Sequence, residues 1–173
     1  NPPLGRTLMV SDVDETAHYA GSHYALGTNR WESGSVDPRG FTHIERFWLD
    51  GSIPVWTFAI GDALLEKRVW MEIGANTTYA QYTLVRGTEV LELDLKVLVN
   101  YRDYHSDTHA GDWQMNVEAL KNGLKVTAFD GATPMYLFSD HAEADARHDW
   151  YRGYFSSVEA YRGLGATDDN LHA

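Results

Sequence analysis

The sequence of 173 residues contains no cysteine, no long apolar run and no excess of basic residues. Without cysteine a disulfide framework is excluded, and any metal would need His, Asp or Glu ligands. No apolar run approaches the roughly 20 residues of a membrane-spanning helix, and the chain does not open with a signal-peptide layout. We therefore expect a soluble, cytoplasmic protein with no membrane partner.

Basic residues are scarce, with 14 Lys and Arg against 25 Asp and Glu and a formal net charge of -11. Such a charge repels phosphate backbones, so nucleic acid is not an expected partner. Aromatic residues are plentiful instead, at 13% of the chain with 6 Trp and 10 Tyr. This content suits a β-rich core and equally suits sugar binding, in which aromatic rings stack on pyranose faces.

Alternation of apolar and polar residues predicts strands along most of the chain. The longest alternating stretch runs from Val90 to Val99, and its apolar face carries Leu91, Leu93, Leu95, Val97 and Val99. Turn signals such as Gly61-Asp62 and Asn122-Gly123 recur about every 8 to 12 residues, the spacing of a β-sandwich. The length fits a single domain. The sequence thus predicts an all-β fold, an antiparallel β-sandwich.

Only the C-terminal tail departs from this pattern. Ser156 to Leu164 predicts a helical turn or two, with Ser156 as the N-cap and Glu159 three residues later. Beyond it, Gly163 to Ala173 contains few apolar residues and predicts an unanchored connector. We therefore expect a β-sandwich domain over residues 1–155 and a connector over residues 156–173.

The stretch Arg102-Asp103-Tyr104-His105 follows the longest strand, and strand ends are where rigid scaffolds hold functional side chains. Arg102 and Asp103 are predicted either to form a structural ion pair or to contact a substrate. Among the six tryptophans, Trp113 is the favoured ligand-binding residue because it follows the His-rich loop. The candidate substrate-binding residues are therefore Arg102, Asp103, Tyr104, His105 and Trp113.

A metal site has weaker support. His105 and His109 are four residues apart, with Asp103 and Asp107 interleaved, so all the ligand types are present locally. The pattern of this segment predicts a loop, however, and His and Asp residues in loops are more often solvated surface residues than metal ligands. We expect no metal and no cofactor.

Glycoside hydrolysis usually needs two carboxyl groups on either side of the scissile bond. The sequence offers several acidic clusters, namely Asp12 with Asp14 and Glu15, Asp103 with Asp107, and Asp168 with Asp169. Their spacing in the sequence does not show that two of them oppose each other across a cleft, and acidic residues more commonly lie on solvated faces. No Gly-rich phosphate loop or nucleophile elbow is present. No catalytic residue is therefore assigned.

The chain resembles the N-terminal domain of bacterial and archaeal glycogen debranching enzymes of the amylo-α-1,6-glucosidase type. The likeness extends over most of its length and is most specific at Leu98 to His105 and at Glu159 with Tyr161-Arg162-Gly163-Leu164. Further matching stretches are Pro2-Pro3-Leu4-Gly5-Arg6-Thr7, Asp14-Glu15, Tyr24 to Asn29, Pro38-Arg39-Gly40 and Met71 to Thr78.

This resemblance implies a supersandwich fold, the type found in mutarotase-like and glucoamylase N-terminal domains. It also implies that the hydrolytic acids belong to an (α/α)6 barrel that follows in the full enzyme. The chain by itself is then expected to be inactive. Its expected partners are its own catalytic domain and α-glucan, the latter through the parent enzyme.

The resemblance also has a departure, since the family's domain usually begins some tens of residues earlier. We expect an N-terminally truncated domain whose open sheet edge favours pairing with a second chain, so a homo-oligomer is one expected assembly. Two alternative functions stay open at this point. One is a stand-alone carbohydrate-binding module, and the other is a mutarotase-like sugar epimerase using His105 with an acidic partner.

Overall fold

The structure, a computed structural model, describes residues 5–173 and is built almost entirely of β-strands. Pro2, Pro3 and Leu4 of the first resemblance motif lie outside the described residues. The strands, in chain order, are β1 (Thr7–Tyr19), β2 (Ser22–Ala25), β3 (Thr28–Arg30), β4 (Val36–Arg39), β5 (Ile44–Asp50), β6 (Ile53–Ile60), β7 (Ala63–Met71), β8 (Thr78–Arg86), β9 (Leu91–Asp103), β10 (Asn116–Leu120), β11 (Gly123–Thr127), β12 (Met135–Phe138), β13 (Asp149–Phe155) and β14 (Thr167–His172). The all-β class predicted from the sequence is confirmed.

The two predicted hairpin turns differ in how closely the structure follows them. Gly61-Asp62 links β6 to β7 as predicted, and Gly61 has a φ of 58°, a conformation that glycine adopts without strain. The second turn is shifted by one residue, because Gly123 already pairs with Leu120 as the first residue of β11. Gly123 is needed there for space, since a Cβ atom on it would lie 1.8 Å from the carbonyl oxygen of Leu137.

The chain divides into two compact units, and each is described by itself. The first contains the described residues 5–13, 29–37 and 96–173. In it β14 lies between β13 and β9, β9 is followed by β1, and β10, β11 and β12 form a separate sheet. Its hydrophobic cluster consists of Val99, Met115, Leu124, Val126, Ala128, Met135, Leu171 and Ala173.

The second unit contains residues 14–28 and 38–95. Strands β5, β6, β7 and β8 form an antiparallel meander, and the C-terminal half of β1 pairs with β2. A 3-10 helix, Gly40–His43, precedes β5. The hydrophobic cluster of this unit consists of Ala17, Tyr19, Leu26, Phe58, Ile60, Ala63 and Leu65.

The C-terminal segment differs from the expected connector. Residues 167–172 form β14, which pairs with β13 on one side and β9 on the other, and Asp169, Asn170 and Leu171 are buried. The prediction of an unanchored end is therefore wrong for these residues. The prediction failed because the buried carboxylate of Asp169 accepts hydrogen bonds from backbone N–H groups, so burial in β14 does not require an apolar sequence.

The helical prediction for the tail is confirmed over a shorter range, as α1 (Ser157–Tyr161). Ser156 caps it, since its hydroxyl oxygen accepts a hydrogen bond from the backbone N–H of Glu159 at 3.4 Å. Across residues 5–173, no helix has the length and apolar character needed to cross a membrane.

Candidate functional site

The candidate strand end lies in the first unit, where β9 finishes. Arg102 and Asp103 are the last two residues of β9, and Tyr104 and His105 form the turn that follows. Upstream, Leu98, Val99 and Asn100 are all fully buried, so both faces of β9 are covered there. The site is thus held by the most buried stretch of the strand.

Arg102 points to β14. Its Nε and Nη2 atoms donate hydrogen bonds to Oδ2 of Asp168 at 3.0 and 2.7 Å, and its Nη1 donates to the carbonyl oxygen of Asp103 at 3.2 Å. The other carboxylate oxygen of Asp168 accepts the backbone N–H of Thr108 at 2.7 Å. The ion pair of Arg102 is therefore with Asp168, whereas Asp103 contributes a backbone oxygen.

The next three residues stay at the surface. Oδ1 of Asp103 accepts the backbone N–H of His105 at 3.0 Å, which closes a tight turn. The rings of Tyr104 and His105 have centroids 3.8 Å apart, and the guanidinium of Arg6 lies 5.6 Å from the centroid of the Tyr104 ring. Their exposed side chains can donate and accept hydrogen bonds toward a ligand with hydroxyl groups.

Below this surface lies a buried polar network that sequence reasoning missed. The amide nitrogen of Asn100 donates to the carbonyl oxygen of Asp169 and to Oδ1 of Asn170, both at 3.0 Å. The Asn100 side-chain oxygen accepts the hydroxyl of Thr108 at 2.6 Å. An Asn inside an apolar strand, directly after Leu98 and Val99, is the signal that predicts such a network.

Asp169 completes the network. Its Oδ1 accepts the backbone N–H of Gly153, and its Oδ2 accepts the backbone N–H of Ala110, both at 2.9 Å. Both carboxylate oxygens of Asp169 thus accept hydrogen bonds from backbone N–H groups. Those of Asp168 accept hydrogen bonds from the Arg102 side chain and from the backbone N–H of Thr108. The acidic pair noted in the sequence fixes β14 in place.

Trp113 is held by the hydrophobic core. Its Nε1 donates to the carbonyl oxygen of Ala128 at 2.8 Å, and its own carbonyl oxygen accepts from Nε1 of Trp150 at 3.1 Å. Its ring packs on the first unit's hydrophobic cluster and lies 5.7 Å from the ring of Trp150. These contacts give Trp113 a structural role, and the strand-end residues with exposed rings are Tyr104 and His105.

The His and Asp residues of the following loop do not converge. Nδ1 of His105 lies 3.9 Å from Oδ1 of Asp103, while Asp107 packs against Gly165, where a Cβ atom would lie 1.5 Å from its Oδ2. Within residues 5–173, no group of three or more His, Cys, Asp or Glu side chains is arranged to hold a metal ion.

At the other end of β14, His172 is partly buried beside Lys96. Burial first, and the positive charge of Lys96 second, lower the pKa of His172 below its usual value. The ammonium of Lys96 also lies 4.4 Å from the centroid of the Tyr151 ring. These surroundings therefore favour the neutral form of His172.

Glu15, one of the early acidic residues, is bound within the second unit. Glu15 is 3% exposed, and its Oε1 pairs with the ammonium of Lys67 and accepts the hydroxyl of Tyr82 at 2.6 Å. In the same unit the hydroxyls of Tyr19 and Thr88 each donate to Asp62 at 2.9 Å, and these hydrogen bonds lower the pKa of Asp62. These carboxylates are bound within the fold.

Comparison with known proteins matches the chain to a family model. The family model described as "Glycogen debranching enzyme N terminal" matches residues 1–173, the whole chain. This agrees with the resemblance noted from the sequence and with the antiparallel β-sandwich class expected from it. No curated protein and no solved structure matches the chain.

Proposed function

The chain belongs to the family of glycogen debranching enzyme N-terminal domains, and on that premise we propose that it is a non-catalytic domain of such an enzyme. The parent enzyme would hydrolyse α-1,6-glucosidic branch points with acids supplied by a separate helical domain. This chain would support that domain and contact α-glucan. It needs no cofactor for either task.

One observation carries the non-catalytic role. Hydrolysis of a glycosidic bond needs one carboxyl group that can give a proton to the leaving oxygen and a second that acts on the sugar or on water. The carboxylate oxygens of Asp168 and Asp169 instead accept hydrogen bonds from Arg102 and from backbone N–H groups. Carboxylates engaged in this way hold strands together, which is a structural role and not that of a catalytic acid and base.

The strand end of β9 supports a contact with glucan. Asp103, Tyr104 and His105 are exposed, and together they present a carboxylate, a phenol hydroxyl and an imidazole. Arg102 is the exception within the sequence-predicted set, because its guanidinium is engaged with Asp168. The glucan contact is therefore assigned to the last three residues of the motif.

The test compares the 173-residue chain with the parent enzyme that contains it, using a phosphorylase-trimmed branched glucan as substrate and released glucose as readout. We expect no release by the chain and full release by the parent enzyme. Release by the chain, abolished by Asp168→Asn, would overturn the proposal. Polarimetry of fresh α-glucose with the same sample tests the epimerase alternative, which requires faster anomerisation than in buffer.

A further inference from the structure

The four-stranded meander of the second unit has two chemically different faces. One face carries Phe58, Ile60 and Leu65 into the hydrophobic cluster of this unit. Because side chains alternate along a strand, the residues between them point to the opposite face. That opposite face carries Trp48 on β5, Val55 on β6, Arg68 and Trp70 on β7, and Tyr79 and Gln81 on β8.

Two aromatic rings lie side by side on this face. Trp70 on β7 pairs directly with Tyr79 on β8, and their rings are stacked, with centroids 5.2 Å apart and planes 20° apart. Tyr79 is 41% exposed. Trp48, Trp70 and Tyr79 all lie outside the two hydrophobic clusters that the described residues form. Aromatic rings outside a core are available to stack on the C–H face of a sugar.

The neighbouring row supplies planar polar groups. Register places Trp48, Val55, Arg68 and Gln81 in line across the four strands. Arg68 is fixed in this row, since its Nε donates to Glu66 at 2.7 Å and its Nη1 donates to Asp50 at 2.8 Å. A guanidinium or amide beside an aromatic ring can bind the hydroxyl groups at the edge of a stacked sugar.

The charges of the face favour a neutral ligand. Arg68 is balanced by Asp50 and Glu66, and the guanidinium of Arg46 lies over the ring of Trp48 at 4.6 Å from its centroid. The charges of Arg46, Arg68, Asp50 and Glu66 therefore balance one another, in a chain whose formal net charge is -11. A phosphorylated or acidic polymer would find no excess of cations here.

We propose that this aromatic platform, formed by Trp48, Arg68, Trp70, Tyr79 and Gln81, binds a neutral polysaccharide chain. Val55 and Thr57 in its central strand are buried beneath the neighbouring side chains, whereas Tyr79 and Gln81 on β8 are exposed. The rings and polar groups follow extended strands, so they suit the side of a long polymer better than an isolated monosaccharide. The choice of α-glucan as the polymer rests on the proposed function above. The platform is a site separate from the strand end of β9 and would add a second point of contact with glucan.

The test measures retention of the 173-residue chain in native gels that contain glycogen, and titration calorimetry with maltoheptaose. We expect Tyr79→Ala and Trp70→Ala to weaken binding by about tenfold or more, because each removes a stacking ring. Tyr79→Phe keeps the ring and should bind glycogen and maltoheptaose nearly as tightly as the unsubstituted 173-residue chain does. If Trp70→Ala fails to fold, the Tyr79→Ala variant still tests the proposal, because Tyr79 is exposed.

The matched control is Tyr136→Ala, which removes an exposed ring stacked on Phe138 at 5.9 Å between centroids, on β12. It should leave binding unchanged. Equal binding by the parent chain and Tyr79→Ala would overturn the platform and leave the glucan contact at β9 standing. No retention of the unsubstituted chain on either glycogen or hydroxyethyl cellulose would overturn both. Retention on hydroxyethyl cellulose alone, lost in Tyr79→Ala, would keep the platform and remove the α-glucan assignment.

Discussion

Arg102 on β9 donates two hydrogen bonds to one carboxylate oxygen of Asp168 on β14, at 3.0 Å from Nε and 2.7 Å from Nη2. The two side chains are only 18% and 17% exposed, so water screens the pair weakly. Asp168 also accepts the backbone N–H of Thr108. This pair therefore ties the strand-end motif to the last strand of the chain.

Removal of Arg102 should destabilise the fold. Arg102→Ala leaves Asp168 largely buried without its cation, and we expect a loss of about 2 kcal/mol in the free energy of unfolding. A fully buried pair would lose about 3 to 5 kcal/mol. Urea unfolding followed by tryptophan fluorescence measures this loss. Arg152→Ala, at an exposed position of β13, is the control and should change stability by less than about 0.5 kcal/mol. Unchanged stability with lost glucan affinity in Arg102→Ala would instead assign Arg102 to binding.

Asn100 should be among the least replaceable polar residues. It is 0% exposed, and Asn100→Leu would leave the carbonyl oxygen of Asp169, the side chain of Asn170 and the hydroxyl of Thr108 without this partner. At about 1 to 3 kcal/mol for each buried group left unsatisfied, we expect a loss of about 3 kcal/mol or more. Thr108→Ser keeps the hydroxyl and should cost far less. Equal losses in the two variants would show that the network is not what holds this region.

Gly123 should not tolerate a side chain. In Gly123→Ala the new Cβ would lie 1.8 Å from the carbonyl oxygen of Leu137 and 3.0 Å from Cα of Phe138. Both atoms belong to the backbone, so β11 and β12 must move apart, and we expect about 3 kcal/mol of destabilisation in a chemical denaturation experiment. Gly87→Ala provides the comparison, because its Cβ would meet only side-chain atoms, at 3.2 Å or more. A Gly123→Ala protein as stable as Gly87→Ala would contradict the packing described here.

The strands were predictable because period-2 alternation depends only on neighbouring residues. Leu91, Leu93 and Val97 mark β9 without any knowledge of its partners, and Gly61-Asp62 marks a turn for the same reason. β14 was missed because its polar residues, Asp168, Asp169 and Asn170, resemble a loop. They are buried only because their partners come from elsewhere in the chain. Local pattern does not contain that information.

The sequence predicts the position of the candidate residues at a strand end, but not the partners that their side chains bind. The sequence predicts that Arg102 and Asp103 lie at a strand end, which is correct. The guanidinium of Arg102, however, forms its ion pair with the carboxylate of Asp168, which is 66 residues away in the sequence. Trp113 follows a polar loop in the sequence, yet its indole nitrogen binds the carbonyl oxygen of Ala128. Partners that are distant in sequence decide whether a polar or aromatic side chain is structural or free to bind.

The last prediction concerns acid stability. Burial and the charge of Lys96 lower the pKa of His172 in the folded chain, whereas in the unfolded chain the pKa returns to its ordinary value of about 6.5. The unfolded state therefore binds the proton more readily. The stability contributed by neutral His172 is complete above that ordinary value and is lost as the pH falls toward the lower folded value. Asp145, Arg147 and Asp149 also act on this ring, with the carboxylates opposing the shift.

We expect the urea midpoint of the parent chain to fall between pH 7.5 and pH 5, and to fall less in His172→Gln, which cannot take up the proton. His141→Gln, at an exposed loop position, should follow the parent chain. NMR titration of the His172 ring supplies a direct reading, and a midpoint at or above the ordinary value for histidine would refute the shift. The total acid loss includes contributions from other groups, so the comparison between variants, and not the size of the total loss, is the measurement that isolates His172.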